Sequence, residues 1–264
     1  MWLISAAACA VVAILLAWPV TEALAASAWT RRRPRAAIVL WQAIGLTGGT
    51  SAVGALVLLG LAPLSRSWDL VNLAALVLAA LLFSWLTGVL ATSALRIERD
   101  LRRQRAAVDL LARPEADGLR VLEHPEPLAY CLPGPHPRIV ITDGVIAALP
   151  PEELAAVLAH ERAHAQGRHE LVIQPFVAWQ SALPFLAPAR RATIAVAELV
   201  EMLADDAAAA ATSRLTVARA LARVGAGRPP GHAPALGGRG PGAAGGVDAA
   251  VTPASVIARV RRLT

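Results

Sequence analysis

Three long apolar runs dominate the first part of the chain: Trp2–Val20, Ala36–Ala62 and Leu70–Leu95. Each is long enough to cross the roughly 30 Å hydrocarbon core of a bilayer as a helix. We therefore predict three transmembrane helices in residues 1–95. A cleaved signal peptide is the alternative for the first run, with Ala26-Ser27-Ala28 as the cleavage site. A retained helix is favoured, because no basic residue precedes the run and two more runs follow.

After the third run the pattern changes to short segments separated by proline and glycine. Leu119–Glu123, Leu128–Leu132 and Arg138–Thr142 have the length and composition of short strands. A helix is predicted to begin at Pro150-Pro151-Glu152-Glu153, with proline in its first turn and two acids at its positive end. Gly167 is expected to cap its other end. A small sheet followed by a helix predicts an α+β domain.

The second half of the chain begins with one more apolar stretch, Leu171–Ala189, which contains three prolines. It is either a fourth span or a kinked segment on the membrane face, and the prolines favour the second. One helix is predicted from Arg190 to about Val224. Residues 225–246 are rich in glycine, proline and alanine and predict a flexible linker, and Ser255–Leu263 predicts a short basic helix.

Composition and charge place these elements in a membrane protein. Of the 264 residues, 56% are hydrophobic, and the mean hydropathy of +0.53 is too high for an ordinary soluble domain. The formal charge is +6, and the sequence contains no lysine. The arginines cluster beside apolar runs, so direct binding of nucleic acid is not expected. Cys9 and Cys131 are too far apart in the sequence to imply a disulfide framework.

Two arginine clusters predict the orientation of the spans. Arg31–Arg35 follows the first run, and the second cluster, in residues 96–105, follows the third. By the positive-inside rule both are cytoplasmic, which places the N-terminus and the connection Pro63–Asp69 outside. We therefore expect a multi-pass protein of the cell membrane with a cytoplasmic domain over residues 96–225, and a tail over residues 226–264.

The predicted helix after the sheet contains His160-Glu161-x-x-His164. Two histidines four residues apart lie on one helix face, where both imidazoles can bind one metal ion and the glutamate can act on water. A chance occurrence in a chain with six histidines is expected about once in two hundred. A catalytic zinc site needs a third protein ligand and an open fourth position.

Two acidic residues are candidates for the third ligand. Glu201 lies 41 residues after His160 on the next predicted helix, and Asp205, one turn later, can hydrogen-bond a ligand imidazole from behind. The competing interpretation is a solvated acidic stripe. Glu170 would complete an extended motif with His160 and His164, but an apolar stretch follows it at once. His169 is interpreted as a helix-end cation or an interfacial residue.

Other polar residues are interpreted without a role in metal binding. Tyr130 is expected to be a half-buried strand residue and less plausibly a group that polarises a substrate carbonyl. His124, His136 and His232 lie in loops without a partner at metal-ligand spacing. Arg138–Thr142 is interpreted as an edge strand to which an extended peptide substrate could add.

Together, the three spans, His-Glu-Arg-Ala-His, the proline-interrupted apolar segment and Glu-Met-Leu-Ala-Asp resemble the beta-lactam-sensor and penicillinase-antirepressor type of membrane metallopeptidases. The HtpX-like and CAAX-prenyl-protease peptidases are related to it. This resemblance implies one zinc ion bound by His160, His164 and Glu201, with Glu161 as general base and Asp205 supporting a ligand. In antibiotic-sensing members the peptidase acts on a DNA-binding repressor. No sensor domain follows residue 225 here, so beta-lactam sensing is not carried over.

We therefore expect a multi-pass α-helical membrane protein with a cytosolic α+β domain of the zincin, gluzincin-like class. Its expected function is zinc-dependent endopeptidase activity on cytosolic or membrane proteins, in signalling or regulated proteolysis. The bilayer, a protein or peptide substrate and, by the resemblance, a transcriptional repressor are the expected partners. The alternative is a catalytically silent receptor or scaffold that keeps the peptidase fold. A transporter is disfavoured, because the spans contain almost no ionisable residue.

Overall fold

A computed structural model of the chain describes residues 1–62, 69–226 and 253–264. Residues 63–68 of the predicted outer connection, and residues 227–252 of the predicted flexible tail with His232, lie outside the described residues. The chain forms two compact units, Met1–Ser93 with Pro175–Val196, and Ala94–Gln174 with Ala197–Thr264. The predicted functional limits at residues 95 and 225 stay predictions.

The first unit is built from apolar helices: α1 (Trp2–Ala17), α2 (Pro19–Ala26), α3 (Ala28–Arg32), α4 (Pro34–Gly60) and the first part of α5 (Asp69–Leu111). Within the described residues, three stretches are long and apolar enough to cross a membrane: residues 2–26, 34–60 and 69–111. This confirms the prediction of long apolar helices near the N-terminus, which fit a membrane protein. The first stretch is interrupted at Trp18, because Pro19 occupies the first position of α2.

The proline-containing stretch also belongs in part to this unit. It forms helix α8 (His169–Ala182), with Pro175 inside it, and the start of α9 (Ala187–Ala211). Helix α8 is about 21 Å long at 1.5 Å per residue, which is shorter than the hydrocarbon core. Trp179 packs against Gly49 of α4, with ring atoms 3.1 Å from the position of an added Cβ. The stretch is therefore a short helical segment packed on the long apolar helices.

Helix α5 is longer than the predicted third span. The helix continues past Leu95 through the second arginine cluster to Leu111. Residues 96–111 contain neither proline nor glycine and are rich in good helix formers. Hydropathy predicts where the apolar part of the helix stops. The helix itself continues as long as the residues that follow favour helical backbone.

The second unit contains a four-stranded sheet. Its strands are β1 (Arg113–Pro114), β2 (Leu119–Leu122), β3 (Ala129–Leu132) and β4 (Arg138–Thr142), in the order β1-β2-β4-β3. Strand β4 pairs in parallel with β2 and antiparallel with β3. The interpretation of Arg138–Thr142 as an edge strand is therefore wrong, and β3 lies at the edge. The two-residue β1, which contains a proline, was too short to predict.

Apolar side chains cover both faces of the sheet. Val140 and Leu122 pack with Val108 of α5 on one face. On the other face Ile141 packs with Val145 of helix α6 (Asp143–Ala148), and residues of α7 (Pro151–Gly167) lie against the same cluster. The central strand therefore holds helix α7, which contains the two motif histidines, in place against the sheet.

One short helix has no counterpart among the sequence predictions, and one predicted helix end is shifted. Asp143-Gly144 opens α6 directly after β4, because the Thr142 hydroxyl accepts a hydrogen bond from Val145 N at 3.2 Å and caps the helix. Gly167 is the last residue of α7, and the left-handed residue that follows is Arg168, with φ 45°. The terminating turn is thus shifted by one residue from its predicted position.

The predicted helix from Arg190 to Val224 is two helices. Helix α9 ends at Ala211, and α10 (Arg214–Ala226) begins after Ser213, whose hydroxyl accepts from Thr216 N at 3.0 Å. This serine cap explains the break. The predicted basic helix is present as α11 (Pro253–Leu263).

The contribution of the Thr142 hydroxyl to the stability of this fold can be tested. Its buried hydroxyl donates to Glu126 O at 2.6 Å and accepts from Leu128 N at 3.0 Å as well as from α6. We predict that Thr142→Val lowers the free energy of unfolding by about 1–3 kcal/mol, because buried backbone groups lose their partners. Denaturation of the detergent-solubilised protein measures this. The control Thr212→Val, at an exposed position, is expected to change it by less than about 0.5 kcal/mol; equal losses would contradict the prediction.

Candidate metal centre

The site is built on the last turns of α7. This helix places His160 and His164 four residues apart, and their Nε2 atoms lie 3.1 Å from each other. Both side chains are largely buried, with 13% and 19% of their surface exposed. Two converging imidazole nitrogens without a bulky group between them are suited to share one ion.

Helix α9 supplies a carboxylate to the same point. Glu201 Oε2 lies 3.5 Å from His160 Nε2, and Glu201 Oε1 lies 3.5 Å from His164 Nε2. One ligand atom from each of the three residues lies within 4.8 Å of the others. The structure therefore brings together the three residues that the sequence suggested as ligands, while their role as ligands stays a prediction.

The donor set fits a zinc ion. Bonds of about 2.0–2.1 Å in a tetrahedron place ligand atoms about 3.4 Å apart, and the 3.1 Å and 3.5 Å separations bracket this value. Two imidazoles and one carboxylate are a usual ligand set for catalytic zinc, which keeps a fourth position open. The residues present are thus suited to hold the metal that the motif implies.

Each histidine also has a partner behind it. Asp205 Oδ1 lies 3.1 Å from His160 Nδ1, and Nδ1 of His169 lies 3.0 Å from Nδ1 of His164. When His164 offers the lone pair of Nε2 to a metal, its Nδ1 carries the proton and donates to His169. Such contacts fix the tautomer and the ring orientation of a ligand.

The interpretation of His169 as a helix-end cation or interfacial residue is wrong. The side chain is buried and folds back onto α7, because Arg168 adopts a left-handed conformation between the two helices. Gly167 makes room for it, since a Cβ at this position would overlap the His169 imidazole. Only the glycine in the sequence hints at this close approach.

Arg259 is a second residue of the site that the sequence does not predict. It lies on α11, is 7% exposed, and contacts both Glu201 and Asp205. Its position, 54 residues after Asp205, gives no spacing signal by which it could be found.

Burial and charge set the protonation of the group. Burial opposes the charge on His160, but Asp205 and Glu201 outweigh it and raise the pKa of His160 to about 10. Burial lowers the pKa of His164 to about 4. Burial would raise the pKa of Glu201, but His160 and Arg259 hold it well below the usual value. The metal-free cluster is therefore a protonated His160 paired with ionised carboxylates, and a metal has to displace this proton.

Glu161 lies beside the group and is not one of its three ligand candidates. Burial raises the pKa of its carboxyl group, and the nearby His160 lowers it in part. The backbone N–H of Cys131 in β3 also lowers this pKa in part. A half-buried carboxyl group with a raised pKa is suited to accept and return a proton.

The remaining candidates lie outside the group. Glu170, in the first turn of α8, is not part of the metal-ligand cluster found in the described residues. Tyr130 packs against the apolar cluster that includes Val108 and Val140, as expected for a strand residue. His136 is exposed in its loop, and His124 Nδ1 accepts from Glu126 N at 3.2 Å.

A helix with two histidines and a neighbouring acid, joined by a carboxylate from a later helix, is the type of centre that metallopeptidases use. Residues 91–223 match the model of Peptidase family M48. Since this match covers half of the chain, the chain belongs to that family, whose members usually use zinc. A search of curated proteins gave no match, and a search of solved structures gave none either.

The choice between Glu201 and Glu170 is open to a direct test. We predict that Glu201→Ala weakens metal binding by more than about 100-fold, which exceeds the loss expected for a residue that only supports a ligand. Glu170→Ala is the matched control and is expected to leave metal affinity within about threefold of wild type. Zinc titration of the purified variants measures both. The opposite order would make Glu170 the ligand.

Proposed function

We propose that the chain is a membrane-bound zinc endopeptidase that hydrolyses peptide bonds in cytosolic proteins or in the cytosolic parts of membrane proteins. The observation that carries the proposal is the position of Glu161, directly beside the His160, His164 and Glu201 group. Family membership supports the reaction class.

The chain's own residues divide the work of hydrolysis. His160, His164 and Glu201 would hold one zinc ion. When bound, the ion would act as a Lewis acid that polarises a carbonyl and lowers the pKa of water to about 7. Glu161 takes a proton from the attacking water and returns it to the leaving amine. Its raised pKa suits both steps, because the carboxylate is then a stronger base and the acid remains able to donate. Asp205 and His169 keep the two imidazoles aligned.

Strand β3 is our candidate for substrate binding. It pairs with β4 on one side, and within the described residues no strand occupies its other edge. An extended peptide that adds to this edge would lie next to Cys131, whose backbone N–H lowers the pKa of Glu161 in part. Backbone pairing of this kind positions a scissile bond without demanding particular side chains.

The proposed orientation and substrate class rest on the sequence. The arginine clusters favour a cytoplasmic peptidase domain beyond residue 96 and an outer N-terminus. A repressor as substrate, and a role in signalling or regulated proteolysis, rest on the resemblance to the sensor and antirepressor type alone. The motif Glu201-Met-Leu-Ala-Asp205 is the residue pattern behind that resemblance.

The base is tested by Glu161→Gln in the full-length protein. The variant is expected to keep its zinc and to lose about 100-fold to 10,000-fold in the rate of cleavage of a general protein substrate such as casein, because the amide cannot accept the proton. Glu152→Gln, at an exposed position in the first turn of the same helix, is the matched control and should keep both properties.

The outcomes separate the parts of the proposal. Full activity of Glu161→Gln would remove this residue from the mechanism. If wild-type protein contains no metal and cannot be loaded with zinc, the peptidase proposal itself fails.

Orientation is tested by a cysteine at position 110, where Leu110 is 86% exposed. In a chain without Cys9 and Cys131, we expect Leu110→Cys to react with a membrane-impermeant thiol reagent only after the cells are opened. Ser65→Cys, in the predicted outer connection, is the control that should react in intact cells. Labelling of position 110 in intact cells would reverse the proposed topology.

A further inference from the structure

The last helix of the described chain, α11, turns one face towards the metal centre. Ser255, Arg259 and Leu263 of this helix are buried, and their spacing of four places them on the same side. Leu263 belongs to the apolar cluster with Ala208 of α9 and Val217 of α10. This packing fixes α11 against the helices that border the site.

Arg259 extends from that face into the carboxylates of the site. Its Nε and Nη2 atoms lie 2.7 Å and 2.6 Å from the two oxygens of Asp205, which is a two-pronged contact. Its Nη1 atom lies 2.9 Å from Glu201 Oε2. One guanidinium therefore bridges the third ligand candidate and the residue that supports His160.

The charges explain why this bridge matters. Asp205 is 1% exposed, and both it and Glu201 lie against His160. Two buried carboxylates so close together disfavour each other's ionisation, unless a cation lies between them. Arg259 supplies that cation through its contact with Glu201 Oε2, and Glu201 Oε1 lies 3.5 Å from His164 Nε2.

A second arginine, besides Arg259, also anchors α11. Arg262, one turn further on, makes its own two-pronged contact with Asp206 at 2.7 Å and 2.6 Å. That pair involves none of the three ligand candidates. The helix thus has one arginine–carboxylate contact beside the site and a comparable one that includes no member of the metal-ligand group.

We propose that Arg259 is a positioning residue of the metal centre, which holds Glu201 and Asp205 in the geometry that metal binding needs. The proposal rests on the proposed function, since it assigns Arg259 to the same zinc site. Residues 91–223, which match the family model, do not include Arg259. Each ligand candidate would then have one supporting partner: Asp205 for His160, His169 for His164, and Arg259 for Glu201.

The test compares Arg259→Gln with Arg262→Gln in the full-length protein in detergent. The probes are Co²⁺, whose visible absorption reports the ligand geometry, and Zn²⁺ in competition with it. Arg259→Gln is expected to weaken metal binding by about 10-fold to 100-fold and to alter the Co²⁺ spectrum. Arg262→Gln is expected to keep the wild-type spectrum and an affinity within about threefold, because its partner is not a ligand.

A second variant, Arg259→Lys, keeps the proposal testable if Arg259→Gln does not fold. Circular dichroism monitors the folding of every variant. Lysine keeps the charge but cannot form the two-pronged contact, so an intermediate loss of affinity is expected. A wild-type spectrum and affinity in the Lys variant, or equal losses in the Arg259 and Arg262 variants, would overturn the proposal. If wild-type protein binds neither ion, the proposed function fails first, and this outcome is distinct from a normal wild type with a normal Arg259→Gln.

Discussion

The candidate centre depends on the mutual compensation of buried charges. His160, Glu201, Asp205 and Arg259 are all removed in large part from water, where each alone would cost several kcal/mol to bury as an ion. They are tolerated because every charge has an opposite one within about 3.5 Å. None of α7, α9 and α11 contains the whole set, so apolar packing of the three helices has to bring these charges together.

Spacing along the helices decides which residues of the site could be predicted from the sequence. His160 and His164 share one helix, as do Glu201 and Asp205, so a spacing of four in the sequence already places each pair on one face. His169 and Arg259 have no such spacing. The first depends on the left-handed turn at Arg168, and the second on a helix that follows a long intervening segment. Periodicity predicts neighbours within an element, but it does not reveal contacts made by turns or by distant helices.

Some features of the fold could likewise be predicted from the sequence, and others could not. Apolar run lengths predicted long helices near the N-terminus, and strand composition predicted three of the four strands to within one residue. The order of the strands was not predictable, because β4 is placed in the centre by its pairing with both β2 and β3. The continuation of α5 to Leu111 was missed for a different reason: the end of apolarity is not the end of a helix.

The burial of Glu161 favours the proposed enzyme over a silent scaffold. The charge network of His160, Glu201, Asp205 and Arg259 is complete without it, with two positive and two negative groups in the metal-free state. The position of Glu161 raises the pKa of its carboxyl group through burial, which is a cost to folding at neutral pH. A scaffold could avoid this cost with glutamine or alanine at the same position. A buried carboxyl group is what the proposed proton transfer requires at this position.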